Sequence, residues 1–181
     1  RQSRRLSPPL RVYAGVLHAQ LLLWSGDPAA SVRAYEELGY MERFRLIGPF
    51  DNEGKAGFGR EQPPEAQRNA PVDLDAAHLG RERPVRWRTL PDEHRFGWVD
   101  MSAFLRPGVN VCGFAETFVR SERARTASLW VGSAGAVKVW VNGDEVLSDE
   151  VVRGGDFDRH AALAGLRPGW NRVLLKVCVE D

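Results

Sequence analysis

The segment 136–147, AVKVWVNGDEVL, is the feature that most constrains the fold of this chain. Its valines, Val137, Val139 and Val141, alternate with polar or aromatic residues, and this period of two places them on one face of a β-strand. The Asn-Gly dipeptide that follows tolerates the positive φ angles of a type I′ turn. We therefore predict a β-hairpin with a two-residue loop. The predicted cross-strand pairs are Val141 with Asp144, Trp140 with Glu145, and Val139 with Val146.

The segment 169–179, GWNRVLLKVCV, has the same period of two and predicts a long strand. Leu174, Lys176 and Cys178 share one face of this strand. The other face carries Val173, Leu175, Val177 and Val179. Neither segment holds a catalytic residue type in a catalytic arrangement, so both segments indicate a fold and leave function to be sought in the loops.

The composition is that of an ordinary globular protein. The chain has 181 residues, of which 43% are hydrophobic and 27% charged, which suits one domain or one domain with an appendage. The formal net charge of +1 gives no reason to expect affinity for nucleic acid or membranes. No segment reaches the ~20 apolar residues needed to cross a bilayer. The arginines near the start, Arg1, Arg4, Arg5 and Arg11, are interpreted as a solvated lead-in rather than a binding arm.

The two cysteines, Cys112 and Cys178, both fall in predicted strands. We favour two buried free thiols, with a disulfide as the alternative if the strands are neighbours and the protein is exported. Neither cysteine has a CxxC partner, which argues against a zinc or redox site. Because the chain begins without a methionine and stops directly after a strand, we expect a piece of a longer protein or a mature form.

Two helices are predicted in residues 1–42. The first covers residues 10–24, where apolar residues recur at helical spacing. This stripe consists of Leu10, Tyr13, Ala14, Leu17, Leu21 and Trp24. Asp27 is a suitable N-cap, followed by Pro28 in the first turn, and predicts a second helix over residues 27–38. The pair resembles the last helical hairpin of a tetratricopeptide-type array, and we expect it to pack on a neighbouring domain or on sequence outside this chain.

From residue 43 onward, short strands alternate with Gly, Pro or Asn turns, which indicates a mainly β fold, a sandwich or a barrel. The predicted strands are 44–50, 85–90, 97–99, 110–120, 125–131, 136–141, 144–147, 159–164 and 169–179. Residues 51–70 form a long polar loop between the first two. Trp87 is predicted to lie in the core. For Trp130 and Trp140, which fall opposite the aliphatic residues of their strands, exposure to a ligand is the alternative to packing.

Six motifs spread over residues 44–181 resemble the galactose-binding-domain-like jelly roll, a fold shared by many carbohydrate-binding modules. The motifs are GPFDN (48–52), GFGREQPPE (57–65), VRWR (85–88), VGSAGAVKVWVNG (131–143), Arg153 and GWNRVLLKV (169–177). The resemblance implies a jelly-roll β-sandwich over residues 43–181 with the helical hairpin before it. Modules of this family occur as non-catalytic parts of secreted bacterial glycosidases and esterases, and include sugar binders, protein binders and structural modules. The Trp-containing closing strand usual in the family is absent, which favours a fragment.

The loop 51–65 is the best candidate for a ligand site. Its planar polar side chains suit sugar hydroxyls, and an aromatic ring would stack on the apolar face of a sugar. The predicted ligand-binding residues are Asp51, Asn52, Glu53, Lys55, Glu65, Trp98 and Trp170, with Glu61 and Phe58 beside them. In the alternative interpretation, Asp51 and Asn52 cap a turn and Glu65 is a solvated or framework acid.

Metal binding and catalysis have weaker support. The clusters Asp73–Asp75–His78 and Asp149–Glu150 with Asp156 and Asp158 offer oxygen ligands for structural calcium, but neither has EF-hand spacing. No cofactor is predicted otherwise. The histidines, His18, His78, His94 and His160, are scattered, and the chain contains no HExxH, GxSxG or P-loop motif.

The leading prediction is therefore a non-catalytic accessory module of a larger bacterial protein. It would bind carbohydrate, or dock on a neighbouring domain, through loops at one end of the sandwich. A structural or protein-interaction domain without a small ligand is the first alternative. The second is a fragment of an enzyme whose active site lies elsewhere. The family resemblance favours export to the periplasm or the exterior.

Overall fold

In the computed structural model, residues 8–91, 97–152 and 159–180 are described. They divide into a helical unit, which contains residues 8–42 and 97–98, and a sandwich unit, which contains the rest. The residues of the sequence interpretation that lie outside the described ranges are Arg1, Arg4, Arg5, His94, Arg153, Asp156 and Asp158. Within the described residues, no helix combines the length and the apolar character that crossing a membrane requires.

The helical unit contains α1 (Pro8–Trp24) and α2 (Pro28–Glu36). Helix α2 begins where the sequence predicts, because the Asp27 carboxylate accepts a hydrogen bond of 2.9 Å from the backbone N–H of Ala30. Pro28 occupies the first turn, where its missing N–H costs nothing. Both predicted helices are confirmed.

The small residues of α1 hold the two helices together. Ala19 is fully buried, and the Ser31 hydroxyl of α2 donates a hydrogen bond of 2.7 Å to the Ala19 carbonyl oxygen. The predicted apolar stripe lies on a different face. Its described side chains are all exposed: Tyr13, Ala14, Leu17, Leu21 and Trp24. The stripe therefore plays no part in joining α1 to α2.

The sandwich unit is mainly β and antiparallel, and the predicted fold class, a β-sandwich, is confirmed. Its strands are β1 (Arg45–Asp51), β2 (His78–Leu79), β3 (Pro84–Val85), β4 (Arg88–Thr89), β5 (Val111–Ser121), β6 (Arg125–Val131), β7 (Ala136–Val141), β8 (Asp144–Asp149), β9 (His160–Leu166) and β10 (Gly169–Val179). Six of them form one sheet in the order β4-β1-β5-β10-β7-β8, while β6 pairs with β9 and β2 with β3. Short helices are α3 (Ala56–Gly59), α4 (Pro63–Ala66) and α5 (Met101–Phe104).

The β6–β9 ribbon forms the second layer. Along β9, the buried residues Ala162, Ala164 and Leu166 alternate with exposed ones, so one face of the strand is covered. The strand β9 lies against β7 and β8 of the large sheet. Because side chains alternate between faces, this arrangement leaves the other face of the ribbon open to solvent.

The predicted hairpin is present as β7 and β8. Asn142 and Gly143 adopt positive φ angles of 52° and 90°, as a type I′ turn requires. The pairs Val141 with Asp144 and Trp140 with Glu145 are confirmed. The third predicted pair is wrong, because the register shifts after Trp140 and Val139 pairs with Leu147 instead of Val146. One extra residue on β8 produces this bulge, which the period of two alone does not reveal.

Both faces of β7 are buried. Val137 and Val139 are fully inaccessible on one face, and Trp140 is only 3% exposed on the other. The cluster on the Trp140 side contains Ile47, Phe50, Val85, Trp87, Phe114, Trp140 and Leu174. The predicted core position of Trp87 is confirmed. Exposure of Trp140 to a ligand is excluded by this packing, and Trp130 is half-buried.

Two strand predictions are wrong for identifiable reasons. The predicted strand 85–90 is broken, because β3 pairs with β2 whereas β4 pairs with β1, and the chain changes partner between them. The predicted strand 97–99 does not form. Gly97 has a φ of 65°, outside the strand region, and a Cβ there would lie 2.9 Å from the Met41 carbonyl oxygen.

The preference for free thiols is also wrong. Cys112 of β5 and Cys178 of β10 are directly opposite each other in the sheet and form a disulfide, with 4.0 Å between their Cα atoms. Both are buried in a cluster with Phe58 and Ala136. The two cysteines are 66 residues apart in the sequence and meet only because their strands pair in the folded sheet. The spacing of the cysteines in the sequence therefore could not predict the disulfide.

Candidate functional site

The loop after β1 brings charged side chains together at one end of the sandwich. The chain turns sharply there, with positive φ angles at Gly54 (59°) and Lys55 (65°). The side chains of Glu53 and Lys55 are 70% and 67% exposed. We call this group the polar rim. It consists of Asp51, Glu53, Lys55, Arg60, Arg81 and Glu180.

Ion pairs orient the side chains of the polar rim. Arg81 lies 3.0 Å from a Glu53 carboxylate oxygen and 3.8 Å from Asp51. Arg60 lies 3.4 Å from the other Asp51 oxygen, and Lys55 Nζ lies 2.9 Å from Glu180. Exposed pairs of this kind stabilise a fold by less than about 1 kcal/mol each. Their main effect is therefore to fix where carboxylate and guanidinium groups point.

Arg81 ties the rim to the backbone. Its Nη1 donates hydrogen bonds to the carbonyl oxygens of Val109 (2.6 Å) and Asn110 (2.8 Å), just before β5. Its backbone N–H donates to the Pro49 carbonyl oxygen at 2.9 Å. Arg81 therefore links β1, the residues just before β5 and the exposed acids in one network.

A buried ion pair holds the loop beneath the polar rim. The Lys176 ammonium of β10 is fully buried and lies 2.7 Å from Glu65 Oε2. It also donates to the carbonyl oxygens of Phe58 (3.1 Å) and Arg60 (2.9 Å), so all three of its protons are used. Burial lowers the pKa of Lys176, while the hydrogen bond to Glu65 acts in the opposite direction. The Lys138 Nζ lies 3.9 Å from the other Glu65 oxygen.

Arg172 anchors the next part of the same loop. Its Nη1 lies 2.9–3.2 Å from three carbonyl oxygens, those of Gln67, Arg68 and Ala70. Its Nε lies 2.6 Å from Glu116, whose side chain is 1% exposed. Lys176 and Arg172 are four residues apart on one face of β10, so a single strand fixes most of the loop.

Asn52 is 2% exposed and faces inward. Its Nδ2 donates a hydrogen bond of 3.1 Å to the Val179 carbonyl oxygen, and its backbone N–H donates to Asn110. Gly57 packs against it so closely that a Cβ at that position would lie 2.8 Å from Asn52 Oδ1. The contacts of Glu65 favour its interpretation as a framework acid. Asn52 is also a framework residue, but its side chain bonds to β10 and does not cap the turn that follows.

The predicted aromatic partners are not part of the polar rim. Trp170 is the second residue of β10, whereas Val179, beside Asn52, is its last residue. Nine residues of strand at ~3.3 Å each place Trp170 about 30 Å away, at the opposite end of the sheet. Trp98 belongs to the helical unit. Phe58 is near the rim but 7% exposed, and its ring is covered by the Lys138 ammonium at 4.7 Å.

The calcium candidates have local partners where they are described. Asp73 Oδ1 accepts hydrogen bonds from the backbone N–H groups of Asp75 and Ala76, as a turn former does. Asp149 accepts one from Val151 and lies 3.6 Å from His160. Asp156 and Asp158 lie outside the described residues. Among residues 8–91, 97–152 and 159–180, no group of three or more His, Cys, Asp or Glu side chains has a geometry for metal binding.

Several residues of this network were missed at the sequence level: Arg60, Arg81, Lys138, Arg172 and Lys176. One signal was available for Lys176. The period of two places it between Leu174 and Cys178 on a single face of the last strand. A lysine between two buried residues requires a buried acid as its partner, and Glu65 is that acid.

Comparisons with known proteins identify no family. No protein-family model matches the chain, and no curated protein matches it. Among solved structures, a β-glucuronidase from an uncultured Clostridium species matches 76% of this chain at 13% identity, with a TM-score of 0.42. A Ruminococcus gnavus β-glucuronidase in complex with D-glucaro-1,5-lactone matches 77% of it at 17% identity, with a TM-score of 0.41.

The aligned region spans 21% of the length of each of these two β-glucuronidase chains. At these TM-scores and identities, the similarity carries no information about a ligand or an activity of the present chain.

Proposed function

We propose that this chain is a non-catalytic accessory module of a larger bacterial protein and binds carbohydrate through the polar rim. One observation carries the proposal: Glu53 and Lys55 project into solvent beside Asp51 and Arg60, on a loop held by the buried Lys176–Glu65 pair. Binding residues are commonly placed on loops that a rigid scaffold positions.

The chemistry of the rim suits sugar hydroxyls. Carboxylates accept hydrogen bonds, while ammonium and guanidinium groups donate them. Two adjacent hydroxyl groups of a sugar can therefore bond to a neighbouring carboxylate and cation at the same time. The ion pairs within the rim orient these groups before a ligand arrives, which lowers the entropy cost of binding. Phe58, an aromatic residue of the loop itself, is buried, so the contact with sugar is polar. We expect micromolar to millimolar affinity, about 4–8 kcal/mol.

Replacing both Glu53 and Lys55 with alanine tests the proposal. A glycan array would first find the sugars that the wild-type chain binds, and calorimetric titration would then give the Kd. We expect the double variant to bind at least tenfold more weakly with an unchanged midpoint of urea unfolding, because both side chains are mostly exposed. The substitution leaves the net charge unchanged. Glu145→Ala, an exposed position on β8, is the control and keeps wild-type affinity.

Two results would contradict carbohydrate binding at the rim. One is a wild-type chain that binds no sugar on an array of plant and microbial glycans. The other is a double variant whose affinity for an identified sugar equals that of the wild type.

A protein-interaction function is the second candidate, and the apolar stripe of α1 favours it. Tyr13, Leu21 and Trp24 are 64%, 59% and 75% exposed and recur along one helical face. Apolar side chains grouped in this way commonly mark a docking surface. In the parent protein, this face would pack on a neighbouring domain, as the resemblance to a helical repeat array implies.

The isolated chain should therefore self-associate through the stripe. We expect light scattering to show an average mass that rises with concentration, and the variant Leu21→Lys/Trp24→Lys to remain monomeric. Glu36→Lys on α2 raises the charge by the same amount at an exposed position and leaves the association unchanged. A wild-type chain that stays monomeric at every concentration would count against this candidate.

A further inference from the structure

The end of the sandwich opposite the polar rim collects arginines around two exposed aromatic rings. Gly169 pairs with Ser121 and Trp170 with Arg120, so the turn after β5 and the turn before β10 lie side by side. Arg125, at the start of β6, pairs with Leu166 next to the same turn. We call this surface the basic end. It consists of Phe118, Arg120, Arg123, Arg125, Arg167 and Trp170.

Three of these side chains stand on one face of the sheet. Directly opposite residues in antiparallel strands share a face, which places Arg120 beside Trp170. Phe118 lies two residues from Arg120 and points the same way. Phe118 is 42% exposed, and the Arg45 guanidinium lies 5.9 Å from its ring centroid. Trp170 is 70% exposed and therefore offers the open ring face of this surface.

The basic end is strongly positive although the chain is almost neutral. These two turns contain four exposed arginines and one acidic residue, Glu122. The whole chain, by contrast, has a formal net charge of +1. Among the described residues, the guanidinium groups of Arg120, Arg123 and Arg167 have no ion-pair or hydrogen-bond partner. The arginines of the polar rim, by contrast, are paired with acids. The charge of the basic end is therefore available to a ligand.

We propose that the basic end binds an anionic polysaccharide, one that carries carboxylate or sulfate groups. The indole of Trp170 offers a flat apolar platform for the C–H face of a pyranose ring. The neighbouring guanidinium groups offer forked donors that match carboxylate and sulfate oxygens. A polysaccharide whose sugar rings carry carboxylate or sulfate groups can meet both requirements. Its apolar ring faces would stack on the indole, and its anionic groups would pair with the guanidinium groups.

Other anionic polymers fit these observations less well. A nucleic-acid partner calls for a basic protein, and this chain has a sequence pI of about 8.0. An acidic peptide would be recognised by the arginine cluster alone, which leaves the exposed ring of Trp170 without a role.

The site is separate from the carbohydrate site proposed above. It uses different residues, lies about 30 Å away along β10, and selects a ligand by its negative charge. The two proposals can therefore succeed or fail independently.

Binding to polygalacturonate and dextran sulfate tests the inference, with neutral dextran, polyglutamate and a single-stranded oligonucleotide as comparison polymers. We expect the wild-type chain to bind both anionic polysaccharides at least tenfold more tightly than any comparison polymer at 0.15 M salt. Raising the salt concentration should weaken this binding steeply, because the ligand's charge is screened.

Two variants should remove the binding separately. Trp170→Ala is expected to weaken it at least tenfold, and Trp170→Phe to retain most of it. The double variant Arg120→Ala/Arg167→Ala is expected to weaken it at least as much. Two matched controls, Leu79→Ala and Arg83→Ala, remove an exposed apolar side chain and an exposed arginine elsewhere and leave it unchanged. The rim variant Glu53→Ala/Lys55→Ala should also leave it unchanged.

Each contrary result has a distinct meaning. Equal affinity for polyglutamate or the oligonucleotide would show that charge alone is recognised, and would overturn the polysaccharide assignment. Equal affinity for neutral dextran would overturn the anionic assignment. Wild-type affinity in a folded Trp170→Ala variant would overturn the stacking role. Circular dichroism and urea unfolding of each variant confirm that a loss of binding is not a loss of fold.

Discussion

Replacing Lys176 with methionine is expected to destabilise the sandwich unit by about 3–5 kcal/mol. The Lys176 ammonium is fully buried and lies 2.7 Å from Glu65, whose side chain is 8% exposed. Methionine fills a similar volume but leaves the Glu65 carboxylate in the interior, with Lys138 at 3.9 Å as its remaining cation. Urea unfolding measures the change. Tryptophan fluorescence is a suitable probe, because Trp87 and Trp140 are in the core of this unit.

A double variant separates the ion pair from simple packing. In Lys176→Met/Glu65→Leu both charges are absent, so the penalty of an unpaired buried carboxylate disappears. The carbonyl oxygens of Phe58 and Arg60 still lose their donor. We therefore expect the double variant to recover more than half of the loss. A double variant as unstable as the sum of its single variants would show that the two charges do not act as a pair.

Removing the disulfide is expected to have the second large effect, a loss of about 4 kcal/mol for a closed loop of this length. The bond joins Cys112 and Cys178, which are 66 residues apart, and so restricts the unfolded chain. The variant Cys112→Ala/Cys178→Ala should show the loss in urea unfolding. Wild-type protein unfolded under a reductant should show a similar loss.

Thiol titration supplies the control for this prediction. In denaturant without reductant, the wild-type chain should show no free thiol, and after reduction it should show two. Two free thiols in the unreduced protein would contradict the bond. An unchanged stability in the double alanine variant would contradict its energetic role, since it would mean that the unfolded chain is not restricted by it.

Substitutions in the buried framework and on the exposed surface are expected to affect different properties. Lys176, Arg172 and the disulfide act beneath the loop, and we expect their loss to lower stability. Glu53, Lys55 and Trp170 are mostly exposed, and we expect their loss to lower binding while stability is retained. This contrast separates a residue that holds the loop from one that touches a ligand.

Strand pattern and turn chemistry are local properties, and the sequence predicted them well. The bounds of β6 and β10 and the turn at Asn142–Gly143 match the structure, because alternation and positive φ angles depend on a few neighbouring residues. The N-cap of α2 at Asp27 is equally local. The register after Trp140 was mispredicted, because a bulge depends on how the partner strand packs.

At the candidate site, too, local features could be predicted from the sequence, whereas long-range contacts could not. The sequence pointed to the loop 51–65, and the structure places Asp51, Glu53 and Lys55 together at one end of the sandwich. It could not tell that Glu65 meets a lysine 111 residues later, since burial of a charge depends on a distant partner. It also grouped Trp170 with this loop, although the length of β10 separates them.

The hairpin, the last strand, the helix caps and the mainly β fold class followed from the sequence alone, because each depends on periodicity or on backbone preferences of adjacent residues. The tertiary structure decided which faces are covered, which cysteines and charges meet, and which end of the sandwich each loop occupies. Those outcomes depend on contacts between residues far apart in the chain. Pairing of β5 with β10 brings Cys112 to Cys178 at one end and Arg120 to Trp170 at the other, and no local pattern contains that information.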